Sequence, residues 1–292
     1  MILSNDIMTL KQIGQVNQLA EACEVLDGGL PVIYHNLMQD QRSKDSNILF
    51  YDQGQLCGFL GIYYFYYDAC EVTLFVHPQY RKQNVAKQLL CYAMPIWLER
   101  GMIRILFSGP ERIGTDSWLR ERGLTYFHTE YTMQRTSLTP LVIPDVKLIT
   151  RAAQLDDIKN LEYIDSQCFP NIYNKVPTNY HSVLTDPCFT VLLSCLNDVV
   201  IGKAHIRWNA NEAFLSDIGV LPAYQHNGYG AEIVGYCINY VLARKPLIIS
   251  LDVISKNGTA LAVYTKYDFK VISAHDYWQI KIEPLKAFLG IF

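Results

Sequence analysis

Six residues, Gln225-His226-Asn227-Gly228-Tyr229-Gly230, join the apolar run AFLSDIGV (213–220) to the amphipathic stretch GYGAEIVGYCINYVLAR. Glycines at 228 and 230 let the backbone turn its N–H groups into one concavity. A helix that begins at the loop adds the positive end of its dipole. Such a junction binds an anion, above all a phosphate, without any cationic side chain. The spacing is neither the GxxxxGK[ST] nor the GxGxxG pattern, so nothing points to ATP or NAD. The plain alternative is a strand-to-helix turn with no ligand.

The surrounding elements place the loop. TVLLSCL and VVIGKAHIRW read as two strands joined by a turn at Asn197–Asp198, after a strand at 147–150 and a helix at 154–168. AFLSDIGV is a central strand, and Ile233, Cys237 and Val241 mark one face of the helix after the loop. PLIISLDV (246–253) is apolar throughout, as a buried strand with parallel pairing would be. NGTALAVYTKYDF is a helix, and FKVIS with YWQIKIEP are expected to close the same sheet.

This pattern occurs twice. LFVHPQYRKQNVAKQLLCYAMPIWL, from Leu74, parallels IGVLPAYQHNGYGAEIVGYCINYVL, from Ile218; Val76 matches Val220 and Pro78 matches Pro222, an offset of 144 residues. WLRERGL (118–124) parallels VYTKYDF (263–269) at nearly the same offset. A period this long means duplicated domains rather than a solenoid. The proline-bearing segment TSLTPLVIPDVK (136–147) is the expected linker, which divides the chain into residues 1–140 and 146–292.

The 292 residues suit two domains, and half of them are hydrophobic, enough for two cores. A net charge of -3 without Lys/Arg runs gives no footprint for nucleic acid. Eight cysteines show no CxxC pair and no Cys/His cluster, so buried free thiols in a reducing compartment, and no metal, are expected. MILSNDIMTLKQ lacks the cationic and apolar regions of a signal peptide, and LCGFLGIYYFYY (56–67) is too short to span a bilayer. The expectation is a cytoplasmic protein with no membrane partner.

Gln-x-x-Gly-x-Gly after a Val-x-Pro strand end resembles the pyrophosphate loop of the GNAT acyltransferase superfamily. Leu251-Asp252-Val253, Asn257, Ala260, Tyr264 and Phe269 are similar in order and spacing to that family's second region, with Asp268 where the family usually has Gly. The likeness covers essentially all of 147–283. It implies an α/β fold of two tandem GNAT-like domains, each a mixed, mostly antiparallel twisted sheet flanked by helices. It implies acetyl-CoA as co-substrate, no metal, and a small-molecule or peptide amine as acceptor. The amides of His226, Asn227, Gly228, Tyr229 and Gly230, with Gln225, would hold the pyrophosphate. Ile218 and Val220 would line the pantetheine arm, with Val220 offering backbone bonds. Asn257 would touch the arm or ligand, and Tyr264 would sit by the sulfur.

Acyl transfer to an amine needs a base for the attacking nitrogen, a donor for the oxyanion and an acid for the leaving thiolate. Asp217 and Glu212, on or beside the central strand, are the candidate bases, and Tyr264 is the candidate acid. Strand alternation would put Asp217 on the face opposite Ser216 and Ile218. His205 and Arg207 either line the acceptor cleft or face outward. In the first half the loop reads Arg81-Lys82-Gln83-Asn84-Val85-Ala86; Leu119 stands where Tyr264 does, and Arg112 where Asn257 does. That half is therefore expected to be degenerate. A non-catalytic acyl-CoA sensor, or an aminoacyl or peptidyl transferase, are the competing functions.

Overall fold

A computed structural model describes residues 1–42, 45–111, 116–169, 174–244 and 248–291. Arg112, the first-half match of Asn257, lies outside them. The elements in chain order are β1 (Ile2–Asn5), α1 (Leu10–Asp27), α2 (His35–Gln39), β2 (Asn47–Asp52), β3 (Gln55–Tyr63), β4 (Ala69–Val76), α3 (Val85–Glu99), β5 (Arg104–Pro110), α4 (Asp116–Glu121) and β6 (Thr125–Arg135). They continue with β7 (Ile149–Ala152), α5 (Ile158–Cys168), α6 (Tyr180–Thr185), β8 (Phe189–Leu196), β9 (Val199–Trp208), β10 (Glu212–Val220), α7 (Tyr229–Leu242), β11 (Ile248–Ile254), α8 (Gly258–Lys266), β12 (Lys270–Lys281) and α9 (Ile282–Leu289).

The chain forms two compact units. The first holds residues 1–129, 174–176 and 275–292; the second holds 130–173 and 177–274. The division is thus not a single cut near residue 140. Residues 275–281 of β12 pair antiparallel with β5 of unit 1, and residues 130–135 of β6 pair antiparallel with β11 of unit 2. The expectation that YWQIKIEP closes the second-half sheet is corrected. KVIS and YWQIK belong to one strand, Lys270–Lys281, while Ile282–Pro284 open α9; the strand's distal part supplies unit 1 with the antiparallel neighbour that β5 would otherwise lack.

Unit 1 has strand order β1-β2-β3-β4-β5-β12, and unit 2 has β7-β8-β9-β10-β11-β6. Every neighbouring pair is antiparallel except β4–β5 and β10–β11. These are mixed, mostly antiparallel sheets flanked by helices, as the sequence implies.

In unit 2 one face of the sheet packs on α7. Ile233, Val234, Cys237, Ile238 and Val241 are buried against Ile201, Ala204, Ile206, Ala213 and Leu215. Each large aliphatic side chain buried there contributes about 1.5–3 kcal/mol. The opposite face packs on α5 and α6 through Leu161, Ile164, Tyr180, Val191 and Leu193. Gly202 makes this tight packing feasible: a Cβ there would stand 2.7 Å from Ile233 Cδ1 and 2.8 Å from the Gly219 carbonyl oxygen. Unit 1 repeats the scheme, with α3 and α9 on one face and α1 on the other.

The parallel pairing of β10 and β11 covers only Glu212–Leu215 against Ile248–Leu251. Beyond it β10 carries a bulge: Ser216 pairs with His205, but the next partners are Gly219 and Lys203. One extra residue on β10 breaks the ladder there and bends the strand beyond its parallel pairing.

Candidate active site

The loop after β10 is held by its own side chains. Gln225 Nε2 donates to the Val220 carbonyl at 2.9 Å, and Asn227 Nδ2 donates to the Gln225 carbonyl at 2.9 Å. His226 has φ +63, and Gly228, the N-cap of α7, has φ +85. The first residue tolerates this left-handed backbone at a cost, and the second does so freely because it lacks a Cβ. No side chain caps α7. Its first-turn amides, unsatisfied within the helix, remain available to an anion, with the dipole behind them.

A cavity of about 400 Å³ in unit 2 is lined by Ile218, Val220, Gln225, His226, Gly228, Gly230, Asn257 and Tyr264 among others. Asn227 and Tyr229 lie in the same loop but not on the lining. Asn227 turns inward to the loop carbonyls, and Tyr229 packs on the core. Asn257 has a second occupation, since its Oδ1 accepts from the Ala260 amide at 3.2 Å and so caps α8. Tyr264 is 8% exposed and meets Phe269 edge-on, with ring centroids 5.9 Å apart. Burial, with a smaller contribution from Cys237, pushes its hydroxyl up to about 12. It therefore holds its proton throughout the neutral range, as an acid for a thiolate must.

The two candidate bases part ways. Neither lines the cavity, and Glu212 accepts a hydrogen bond from the Ser250 hydroxyl on β11. Asp217 sits in the bulge with φ +47, immediately before Ile218. The bulge breaks the simple alternation that the sequence implies for residues 216–218. Asp217 Oδ2 stands 3.5 Å from His205 Nδ1. His205 is buried, not outward-facing, while Arg207 is half-buried with its guanidinium 5.1 Å from the Phe214 ring. The sequence did not single out the partners that surround His205, namely Lys203, Asp165 and Tyr180. The signal was the period-2 series Lys203, His205, Arg207 on one strand face.

Unit 1 carries the same loop backbone. Lys82 and Asn84 have φ +61 and +60, as His226 and Gly228 do at the equivalent places, and Asn84 is likewise an N-cap without a side-chain bond. Arg81 Nε donates to the Val76 carbonyl at 3.2 Å, the tie that Gln225 makes to Val220, and its guanidinium also pairs with Asp27 at 2.7 Å. The adjoining cavity, about 590 Å³, is lined by Leu74, Ala86, Leu90, Phe107, Leu119 and Trp278 among others, and Leu119 has no proton to give.

Two family models match this chain: the Acetyltransferase (GNAT) family over residues 158–269, and an Acetyltransferase (GNAT) domain over residues 44–118. Together they span more than half of it. The chain is a tandem member of the GNAT superfamily. It is similar to the probable N-acetyltransferase san of Drosophila melanogaster, with 24% identity over 136 residues, 45% of this chain and 72% of that protein. In fold it is similar to a GNAT protein from Sphaerobacter thermophilus, with TM-score 0.76, 15% identity and 96% of each chain covered. It also resembles a tandem GNAT protein from the clavulanic acid biosynthesis pathway, with TM-score 0.67, 12% identity, and 97% and 98% of the two chains covered. GNAT membership carries acyl-CoA-dependent acyltransferase activity and acetyl-CoA as co-substrate at the level of the family. Among the described residues no group of three His, Cys, Asp or Glu could hold a metal ion, and no helix is long and apolar enough to cross a membrane.

Proposed function

We propose that unit 2 transfers an acyl group, in the simplest case acetyl, from coenzyme A to a primary amine, directly and within a ternary complex. One observation carries this reading: the uncapped α7 loop and the Tyr264 hydroxyl line the same cavity. The amides of residues 226–230 bind the pyrophosphate, and the strand edge at Ile218 and Val220 carries the pantetheine arm. The amine nitrogen attacks the thioester carbonyl, the C–N bond forms and the C–S bond breaks. Asp217 takes the proton from nitrogen, a β10 amide near Val220 stabilises the oxyanion, and Tyr264 protonates the departing thiolate. Holding both substrates in line supplies much of the rate.

The likeness to a probable N-acetyltransferase favours nitrogen as the acceptor atom. The acceptor is a small-molecule or peptide amine. The test is free thiol release from acetyl-CoA across a panel of primary amines. Amine-dependent release from the full chain supports the proposal. Tight coenzyme A binding without release on any amine would instead mark an acyl-CoA-binding protein without catalysis.

A further inference from the structure

The α5/α6 side of unit 2 contains a buried ionic cluster whose proton directions can be counted. Lys203 on β9 has no exposed side-chain surface. An ammonium offers three N–H donors and accepts nothing. Three acceptors surround its Nζ: the Asp165 carboxylate, the Tyr180 hydroxyl oxygen, and His205 Nε2 at 3.3 Å. Every donor is matched, as burial of a charge demands. Tyr180 accepts from Lys203, so its own hydrogen goes to Asp165 Oδ2, 2.5 Å away. His205 Nε2 also accepts, so the ring proton lies on Nδ1. With Nε2 accepting from the ammonium, the ring in this arrangement carries a single proton. Nδ1 is 3.5 Å from Asp217 Oδ2. Side-chain exposure rises from 0% at Lys203 through 4% at His205 to 34% at Asp217. The cluster therefore runs from a sealed cation to an accessible carboxylate in the β10 bulge, next to Ile218 on the cavity wall.

We propose that Lys203 is a positioning residue for acyl transfer: it fixes His205 as the neutral Nδ1–H tautomer, and that N–H holds the Asp217 carboxylate in place to take the acceptor's proton. The inference rests on the acyl-transfer reading above. Among the described residues, Lys203 of its own strand, Asp217 of β10 and the Tyr180 ring of α6 meet His205, while Asp165 and Cys168 of α5 act on Lys203 and Glu162 acts on Tyr180. Removing the Nδ1–H dipole, 3.5 Å from Oδ2, raises the affinity of Asp217 for a proton, because a favourable interaction with the charged form is lost.

The test uses the full chain with ¹⁵N-labelled histidine. In the wild type, His205 should show a protonated Nδ1 and an unprotonated Nε2 at neutral pH. Lys203→Met should mix the tautomers, lower kcat/KM for the amine about 10²-fold, and move the acid limb of its pH profile upward, with KM for acetyl-CoA unchanged. If that variant does not fold, a second pair carries the test. His205→Asn, whose amide can replace Nδ1–H, should stay within a few-fold of wild type, whereas His205→Ala should lose what Lys203→Met is expected to lose. An Nε2–H tautomer or an imidazolium in an active wild type overturns this inference alone. So does a Lys203→Met enzyme with the wild-type pH profile, or equal activity in the Asn and Ala variants. The expected tautomer in a protein that releases no thiol on any amine overturns the acyl-transfer reading, and the positioning role with it.

Discussion

Gly228→Val separates the anion loop from the fold that carries it. Gly228 has φ +85 and ψ -7, and a Cβ built there meets nothing within 4 Å. The strain is thus in the backbone and not in packing. A left-handed conformation costs an L-residue about 1–2 kcal/mol, more for a β-branched one. Against a typical stability of about 5–15 kcal/mol the unit stays folded. A loss of about 2 kcal/mol corresponds to a melting temperature lower by about 4–8 °C. Coenzyme A suffers more. Relaxing φ turns the first amides of α7 away from the pyrophosphate, and bonds to a charged group are worth about 1.5–3 kcal/mol each. Losing two weakens Kd by about 10²–10⁴-fold. Asn84→Val is the matched control, since φ is +60 and the helix position is equivalent. It should lower the melting temperature similarly and leave coenzyme A affinity unchanged. Titration calorimetry and thermal melts on both variants decide the matter. A Gly228→Val protein that binds coenzyme A within about threefold of wild type would refute the loop assignment, as that is well under 1 kcal/mol.

Further outcomes follow from the same geometry. Calorimetry should give one acetyl-CoA per chain, and a stoichiometry of two would restore the first half as a coenzyme site. Tyr264→Phe should lower kcat about 10²–10⁴-fold with coenzyme A affinity nearly unchanged. Its folded-state value, pushed up to about 12 from an ordinary value of 10.0, has a stability consequence. The contribution is complete below about pH 10 and is lost as pH rises toward 12, because only the unfolded chain ionises there; the Phe variant should lack that alkaline loss in denaturant melts. Gly202→Ala should cost about 1–3 kcal/mol in chemical denaturation, since its Cβ must displace either Ile233 or the Gly219 carbonyl 2.8 Å away.

The loop and the fold were legible in the sequence for one reason: both are local. Glycines, a proline at a strand end and a 3.6-residue apolar period leave their mark within a few neighbours, so Gln225–Gly230 and α7 fall where the residue types put them. Three features were not legible. The bulge at Ser216–Gly219 depends on the β9 register, and strand alternation cannot announce it. The pairing of Tyr277 with Ser108 and of Trp278 with Phe107 depends on residues about 170 positions apart. The Lys203 cluster draws on α5, α6, β9 and β10, and a lysine in an alternating strand normally signals a solvated face.

The two loops share a backbone conformation, so the proposal that unit 2 alone holds the coenzyme rests on what surrounds each loop. Lys82 and Asn84 reproduce the left-handed pair of His226 and Gly228, and both α3 and α7 start without a side-chain cap. In unit 1 this geometry has a structural reason to persist. Arg81 ties the loop to the Val76 carbonyl and to Asp27 on α1, so the turn would hold with no ligand present. In unit 2 Gln225 makes only the carbonyl tie, and no described salt bridge anchors it. What differs is the wall beyond the loop. Unit 2's cavity has Gly230, Asn257 and Tyr264 on its lining, where unit 1's has Ala86, Leu119, Phe107 and Trp278. An apolar wall gives a charged pyrophosphate no compensation for its lost hydration. On this account, replacing Ala86 by Gly alone should not create a second coenzyme site, because the wall would stay mostly apolar, with Ser108, Arg122 and Asp276 as its polar residues.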